Sequence, residues 1–346
     1  MNMSETLAQP KPADVAPVTP DAIDECRRVY AAVQKELEKV IVGQKDVIEQ
    51  IMISILTKSH SLLVGVPGLA KTLLISTLAD TLHLTFRRIQ FTPDLMPSDI
   101  TGTEVIHQDP TTGAKEFKFH PGPLFSNIVL ADEINRTPPK TQAAMLEAMQ
   151  ERRVTVGGVT RPLPSPFFVL ATQNPLEQEG TYPLPEAQLD RFMFLIHVGY
   201  PEEKEELEVM KRGTGAKGEK PQAILDGTMI EAMQETVKAL PVADHVYQYA
   251  LNIVRATRPR EGYALADCAR YLSFGAGPRA SLSLIMAAKA HAMIHGQVYV
   301  GCDNVAAVTP SILRHRIAVN FSAQSENITS DDIVKRVLAA VPKHER

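Results

Sequence analysis

The stretch Gly65-Val66-Pro67-Gly68-Leu69-Ala70-Lys71-Thr72 gathers two glycines, a lysine and a hydroxyl between an apolar run and a helical pattern. Phosphate groups need such an arrangement, because successive backbone N–H groups and a helix N-terminus together form a positive, tightly curved nest. Lys71 adds a point charge suited to β and γ phosphates, and the Thr72 hydroxyl suits Mg²⁺. Ala70 stands where the strict pattern has a second glycine. Alanine tolerates helical geometry, so the loop is expected to hold its shape. Alone, these residues also read as a Gly-Pro turn entering a helix.

Three further groups bear on that alternative. An apolar run at 128–131 ends in Asp132-Glu133. A carboxylate at the end of a buried strand can face a metal held by Thr72, which suits Asp132. Glu133 is then placed to polarise an attacking water as general base. The competing reading is a solvated acid pair capping the next helix. Asn174 closes a second apolar run in Ala-Thr-Gln-Asn-Pro, and its amide can bridge that water and the γ phosphate. An Asn-Pro turn is the plainer account. Arg191, in Leu-Asp-Arg-Phe, suits an arginine finger that stabilises transition-state charge on a neighbouring subunit's nucleotide. Its bland counterpart is an Asp190–Arg191 surface pair.

Positioning these groups takes an α/β frame. Apolar strand candidates lie at 61–65, 85–90, 127–132, 167–172 and 192–198, separated by helical patterns. Near-continuous apolar strands of this kind predict a parallel sheet covered on both faces. Two segments break the alternation, one at 103–120 around Asp-Pro-Thr-Thr-Gly and one at 153–163 around Gly157-Gly158. Both read as β-hairpins. Upstream, residues 1–20 form a Pro- and Ala-rich tail, and a helix starts with Thr19 as cap and Pro20 at its first position. A core over 21–200, a linker over 201–222 with a charged helix start, and an all-helical lid over 223–346 complete the expected organisation.

Composition narrows the class. The 346 residues are 44% hydrophobic and 22% charged, with a formal charge of -4, so nothing draws the chain generally to nucleic acid or anionic membrane. Cys26, Cys268 and Cys302 are unpaired in number and pattern, which suits a reducing compartment. With no leader pattern and no apolar run long enough for a bilayer, the expectation is a cytoplasmic protein without membrane insertion. His291 and His295 stand one helical turn apart near Cys302, a metal-compatible spacing, but their Ala and Met neighbours favour lid packing.

Val42-Gly43-Gln44, the loop at 65–72, residues 130–135, 171–175 and 185–192 together resemble the MoxR family of AAA+ ATPases. The run from Thr-Gln-Asn-Pro to Pro-Glu-Ala-Gln-Leu-Asp-Arg-Phe is especially characteristic, and loops of this family also commonly carry Ala before the lysine. The similarity covers about residues 22–320. It implies an AAA+ P-loop core, two hairpin insertions and a helical lid, working on ATP and Mg²⁺ in a ring, most often a hexamer. Lys71, Glu133, Asn174 and Arg191 would be catalytic. Val42, Gly43, residues 65–73 including Leu73, Asp132 and Arg279 would hold the nucleotide, with Thr72 and Asp132 at the metal. The resemblance leaves open whether Arg279, in Gly-Pro-Arg-Ala, serves its own subunit or a neighbour, and places Arg136 near a subunit boundary. It also implies chaperone-like remodelling, maturation or metal-cofactor insertion of a client, with a von Willebrand factor A domain partner. The alternative is a helicase-like motor stimulated by DNA, given Lys115, Lys118, Arg152, Arg153 and Arg161 in or near the hairpins; the net charge and the absence of Trp weigh against it.

Overall fold

The computed structural model describes residues 19–108, 115–176, 180–215 and 218–343. Residues 1–18 of the expected tail and the Asp-Pro-Thr-Thr-Gly tip of the first hairpin lie outside them. The first helix, Pro20–Glu38, begins as its sequence predicts. The Thr19 hydroxyl accepts from Ala22 N at 3.3 Å, and Pro20 sits where no N–H is needed.

Five parallel strands form the central sheet, in the order Phe86–Gln90, Ile128–Asp132, Phe168–Gln173, Ser61–Val64 and Phe194–His197. Alternation along them divides the core in two. Leu63, Leu130, Phe168, Leu170 and Ile196 face one cluster, which runs on into the first two helices and the lid. Leu62, Val129, Ala131, Val169 and Ala171 face the other, packed under the helix Pro139–Glu151. Burial on both faces is why the inner strands read as continuous apolar runs, while the edge strand Phe86–Gln90 leaves Arg87, Arg88 and Gln90 exposed.

Both insertions are antiparallel hairpins. Gly102–Gln108 pairs with Lys115–Pro121, and Arg153–Val156 pairs with Val159–Pro162. Gly157 and Gly158 turn the second at φ +60 and +77, a conformation glycine adopts without steric cost. The hairpins meet at Arg161, 3.4 Å from Glu104 and stacked 4.0 Å above the Phe119 ring.

Within the segment read as a linker, a helix runs over Glu203–Thr214, and Arg212 donates to Glu38 O and Lys39 O at the end of the first helix. The lid then follows as helices Gly227–Ala239, Asp244–Ala256, Pro278–Ile294, Cys302–Leu313 and Ser330–Ala340, with shorter ones at Ala266–Tyr271 and Phe321–Ser325. One feature departs from an all-helical lid. Leu272–Phe274 and Ala318–Val319 form a small antiparallel ribbon, too short to leave a periodic signal in the sequence. All three cysteines are buried.

Candidate functional site

The phosphate loop leaves the strand Ser61–Val64 and enters the helix Lys71–Thr81. Gly65 is required by close approach: a Cβ there would lie 2.6 Å from Val198 O. Gly68 has φ +86 with nothing within 4 Å of a Cβ, so its backbone faces open space. Ala70 corrects the sequence reading. It is the N-cap of the helix, at φ 54 and ψ 21, in the left-handed rather than the right-handed helical region. Alanine therefore sits here under strain, where glycine would not. Lys71 Nζ donates to Gly65 O at 2.5 Å and Val66 O at 3.1 Å, closing the loop on itself. Burial lowers the Lys71 pKa, opposed by the negative charges of Asp132 and Glu133.

The acid pair faces that loop from the end of Ile128–Asp132, with Phe168–Gln173 lying between the two strands. Asp132 is buried, and its Oδ1 accepts from the Thr172 hydroxyl at 2.6 Å. Its Oδ2 accepts from Arg88 twice, from Nη2 at 2.6 Å and Nε at 3.0 Å. Glu133 stands at φ 56, an uncommon conformation for a non-glycine residue. That conformation is held at the backbone by Glu133 N donating to Thr172 Oγ1 at 2.9 Å. Its carboxylate accepts from Gln90 Nε2 at 2.9 Å and Arg136 Nη1 at 3.0 Å. The acids are thus fixed in a polar network instead of being loosely solvated.

A cavity of about 440 Å³ unites these groups: residues 67–73, Arg88, Asp132, Glu133, Thr172 and Asn174 line it. Asn174 is buried, and its Oδ1 accepts from Leu176 N at 3.1 Å, which leaves its amide nitrogen free of that turn. The size is within the ordinary range for a small-molecule site. Its chemistry fits a nucleotide with a hard cation: a loop of N–H groups at a helix start and a lysine for phosphate, a hydroxyl and a carboxylate for the metal. Two cavity residues, Arg88 and Thr172, escaped the sequence reading. Arg88 carried one signal, a charge inside an otherwise strand-like run at 85–90.

Other expected site residues lie outside the cavity lining. Gly43, at φ +67, packs under the helix Glu203–Thr214, where a Cβ would run into the Glu205 carboxylate. The segment 42–44 still touches the loop, because Gln44 Nε2 donates to Leu69 O at 3.3 Å. Asp190 pairs with the lid and not with Arg191: its carboxylate meets Arg279 Nη1 at 3.1 Å and Arg316 Nε at 2.8 Å. Buried Arg316 also donates to Phe192 O and Met193 O, so the lid grips the backbone that carries Arg191. Among the described residues, the partly exposed Arg191 guanidinium has no hydrogen-bond or ion-pair partner.

The histidine pair in the lid meets Glu49, not Cys302. His291 and His295 Nε2 stand 3.5 and 3.4 Å from its two carboxylate oxygens. Asn304 decides the reading. Its Oδ1 is committed to Gly301 N at 2.7 Å, so its Nδ2 faces His291 Nδ1 at 3.1 Å. The Nδ1 therefore accepts, and Nε2 carries the proton toward Glu49. A metal on Nε2 would need the proton on Nδ1, against a donor. The cluster is a fastening between the lid helix Pro278–Ile294 and the core helix Lys45–Leu56.

A parallel sheet with the loop strand between two neighbours, a phosphate nest at its carboxyl end and a helical lid over one face define the P-loop ATPase class. Residues 60–194 match the ATPase family associated with various cellular activities (AAA), and residues 264–337 match the AAA lid domain. Over 306 residues the chain is 45% identical to Chaperone MoxR1 of Mycobacterium tuberculosis, covering 88% of this chain and 80% of that one. It is 28% identical to Protein MoxR of Methylorubrum extorquens over 337 residues, covering 91% and 95% respectively. A crystal structure from Cytophaga hutchinsonii, of a protein assigned as an ATPase, superposes with a TM-score of 0.86 at 44% identity, over 93% of this chain and 97% of that one. The chain belongs to the MoxR family of AAA+ ATPases. Among the described residues no helix is long and apolar enough to cross a membrane.

Proposed function

We propose that the chain binds Mg-ATP in the cavity at residues 65–73 and hydrolyses it to ADP and phosphate, driving chaperone-like remodelling of a client protein. The observation that carries this reading is the convergence of Lys71, Thr72, Asp132, Glu133 and Asn174 on one cavity. Lys71 leaves the loop carbonyls to take the β and γ phosphates, while the nest of N–H groups holds the chain of phosphates in line. Mg²⁺, held at Thr72 and Asp132, would neutralise charge on the phosphate oxygens. Glu133 accepts the proton of the attacking water, and the Asn174 amide orients that water. Val42 and Gly43 border the base.

Arg191 acts at the boundary between subunits of a ring, a hexamer, in the cytoplasm, and Arg279 serves the nucleotide of its own subunit or of a neighbour. Support for Arg191 comes from its unpartnered guanidinium on backbone gripped by Arg316. For a protein client rather than a nucleic acid, the support is the exposed, directly paired Ile106 and Phe117 on the first hairpin. Resemblance to the family is the support for a von Willebrand factor A domain partner and for client maturation, including metal-cofactor insertion. The test is Glu133→Gln in the full chain. Steady-state hydrolysis should fall by about 10²–10⁴ while ATP affinity is retained. Unchanged turnover would remove Glu133 as the base, and absent ATP binding in the wild type would end the reading altogether.

A further inference from the structure

Asp132 is asked to serve the metal, yet an arginine already occupies it. Oδ1 is taken by Thr172 and Oδ2 by two donors of Arg88, leaving the carboxylate little free acceptor capacity on the cavity side. Arg88 belongs to the edge strand Phe86–Gln90, where Gln90 stands in register with Asp132, and Gln90 Oε1 accepts from Arg88 Nη2 at 2.6 Å. Because the strand is an edge, the guanidinium is about half exposed and lines the same cavity as Lys71 and Thr72. A planar guanidinium that can hold a carboxylate at two points can hold phosphate oxygens in the same way.

Resting on the nucleotide reading above, we propose that Arg88 and the divalent cation are alternative partners of Asp132. The guanidinium neutralises the carboxylate whenever the metal is away. When Mg²⁺ takes Asp132, Arg88 passes to the phosphate oxygens of the nucleotide and holds them beside Lys71. The exchange leaves neither Asp132 nor the guanidinium without a partner: the metal takes over Asp132, and the guanidinium meets the phosphates that arrive with it. It also makes metal entry and phosphate grip a single event. Gln90, bonded to both Arg88 and Glu133, links that event to the orientation of the general base.

The test is an equilibrium titration of the full chain with ATP, read as binding and not as turnover, in chelator and across a Mg²⁺ series. Arg88→Gln is compared with the wild type. In chelator, the Asp132 carboxylate left without its guanidinium should repel the incoming phosphates and weaken binding of metal-free ATP by about tenfold or more. Freed of its competitor, Asp132 should reach half-maximal Mg²⁺ enhancement of binding at a several-fold lower Mg²⁺ concentration. A merely structural arginine would not produce these opposite movements. Either a midpoint that does not fall or a metal-free affinity that does not drop overturns the exchange. Should Arg88→Gln fail to fold, Arg88→Lys keeps the charge and loses the two-point grip. It should then lower the Mg²⁺ midpoint while retaining metal-free affinity, and an unmoved midpoint overturns the proposal. A wild type that binds no ATP refutes the nucleotide reading instead.

Discussion

Thr172→Val is the most informative single change at the acid pair. The Thr172 side chain is buried, at 1% exposure, and valine matches its shape while deleting the hydroxyl. That hydroxyl has two partners: it donates to Asp132 Oδ1 at 2.6 Å and accepts from Glu133 N at 2.9 Å. The first is a hydrogen bond to an ionised group, worth about 1.5–3 kcal/mol, and losing the second strands a buried N–H at about 1–3 kcal/mol. Both partners belong to one network, so the losses overlap, and a net destabilisation of about 2–4 kcal/mol is expected. Glu133 adds a functional consequence. Its left-handed backbone persists only while its surroundings enforce it. Without its anchor the carboxylate drifts, and a misplacement near 1 Å can cost about 10²-fold in rate.

Denaturant unfolding and steady-state ATPase assays on Thr172→Val and Thr172→Ser measure these effects. Serine keeps the hydroxyl and loses one buried methyl, so it should cost about 1 kcal/mol and leave turnover within a small factor of wild type. Valine should lose both stability and turnover. Should serine and valine behave alike, or valine match the wild type, the hydroxyl is not what holds the acids.

Two predictions concern stability. His60 is fully enclosed, accepting from Val169 N at Nδ1 and bonded to Met149 O through Nε2, and burial pushes its pKa down from 6.5 to about 4. The folded chain therefore keeps it neutral, while the unfolded chain takes a proton as pH falls through 6.5. Its stabilising contribution is complete above pH 6.5 and lost toward pH 4, by about 2 kcal/mol at pH 5 and about 3 at pH 4. Urea unfolding between pH 7.5 and 4.5 should show a steeper decline for the wild type than for His60→Gln, and parallel slopes would refute it. Ala70→Gly should relieve left-handed strain of about 1–2 kcal/mol against a loss of about 0.4–1 in unfolded-chain entropy, a net gain near 0.5–1 kcal/mol. Ala70→Val should cost more than 1 kcal/mol; thermal unfolding that ranks valine with glycine would contradict the observed backbone.

Sequence reading recovered what local pattern specifies. The inner strands read as apolar runs because both of their faces are buried, and the second hairpin was visible in Gly157-Gly158 because its turn needs two positive φ values. What escaped depends on register between strands remote in sequence. Arg88 reaches Asp132 only because strands at 86–90 and 128–132 lie side by side, and nothing in either segment announces the pairing. Arg316 was not singled out in the lid sequence, yet it is buried against Asp190 from the core. Ala70 failed for a different reason: its residue type was assessed correctly for a helix, but the position is the residue before one, where the sign of φ reverses.

The same connectivity shows which elements a displacement of Glu133 would reach. From Glu133 the chain passes through the turn Ile134–Arg136 into the helix Pro139–Glu151, whose end leads directly into the second hairpin. No long loop intervenes to absorb a displacement. Arg161 on that hairpin then grips the first through Glu104 and Phe119, a partly buried ion pair and a cation–π contact. Contacts of the latter kind contribute about 0.5–2 kcal/mol, enough to couple the two hairpins. Returning from the second hairpin, the chain enters the strand Phe168–Gln173, which carries Thr172 and ends just before Asn174. The excursion to the hairpins therefore begins at one of the acids and ends at the residues that hold them. A shift in the acid network and a shift of the hairpins are two ends of one short, stiff path.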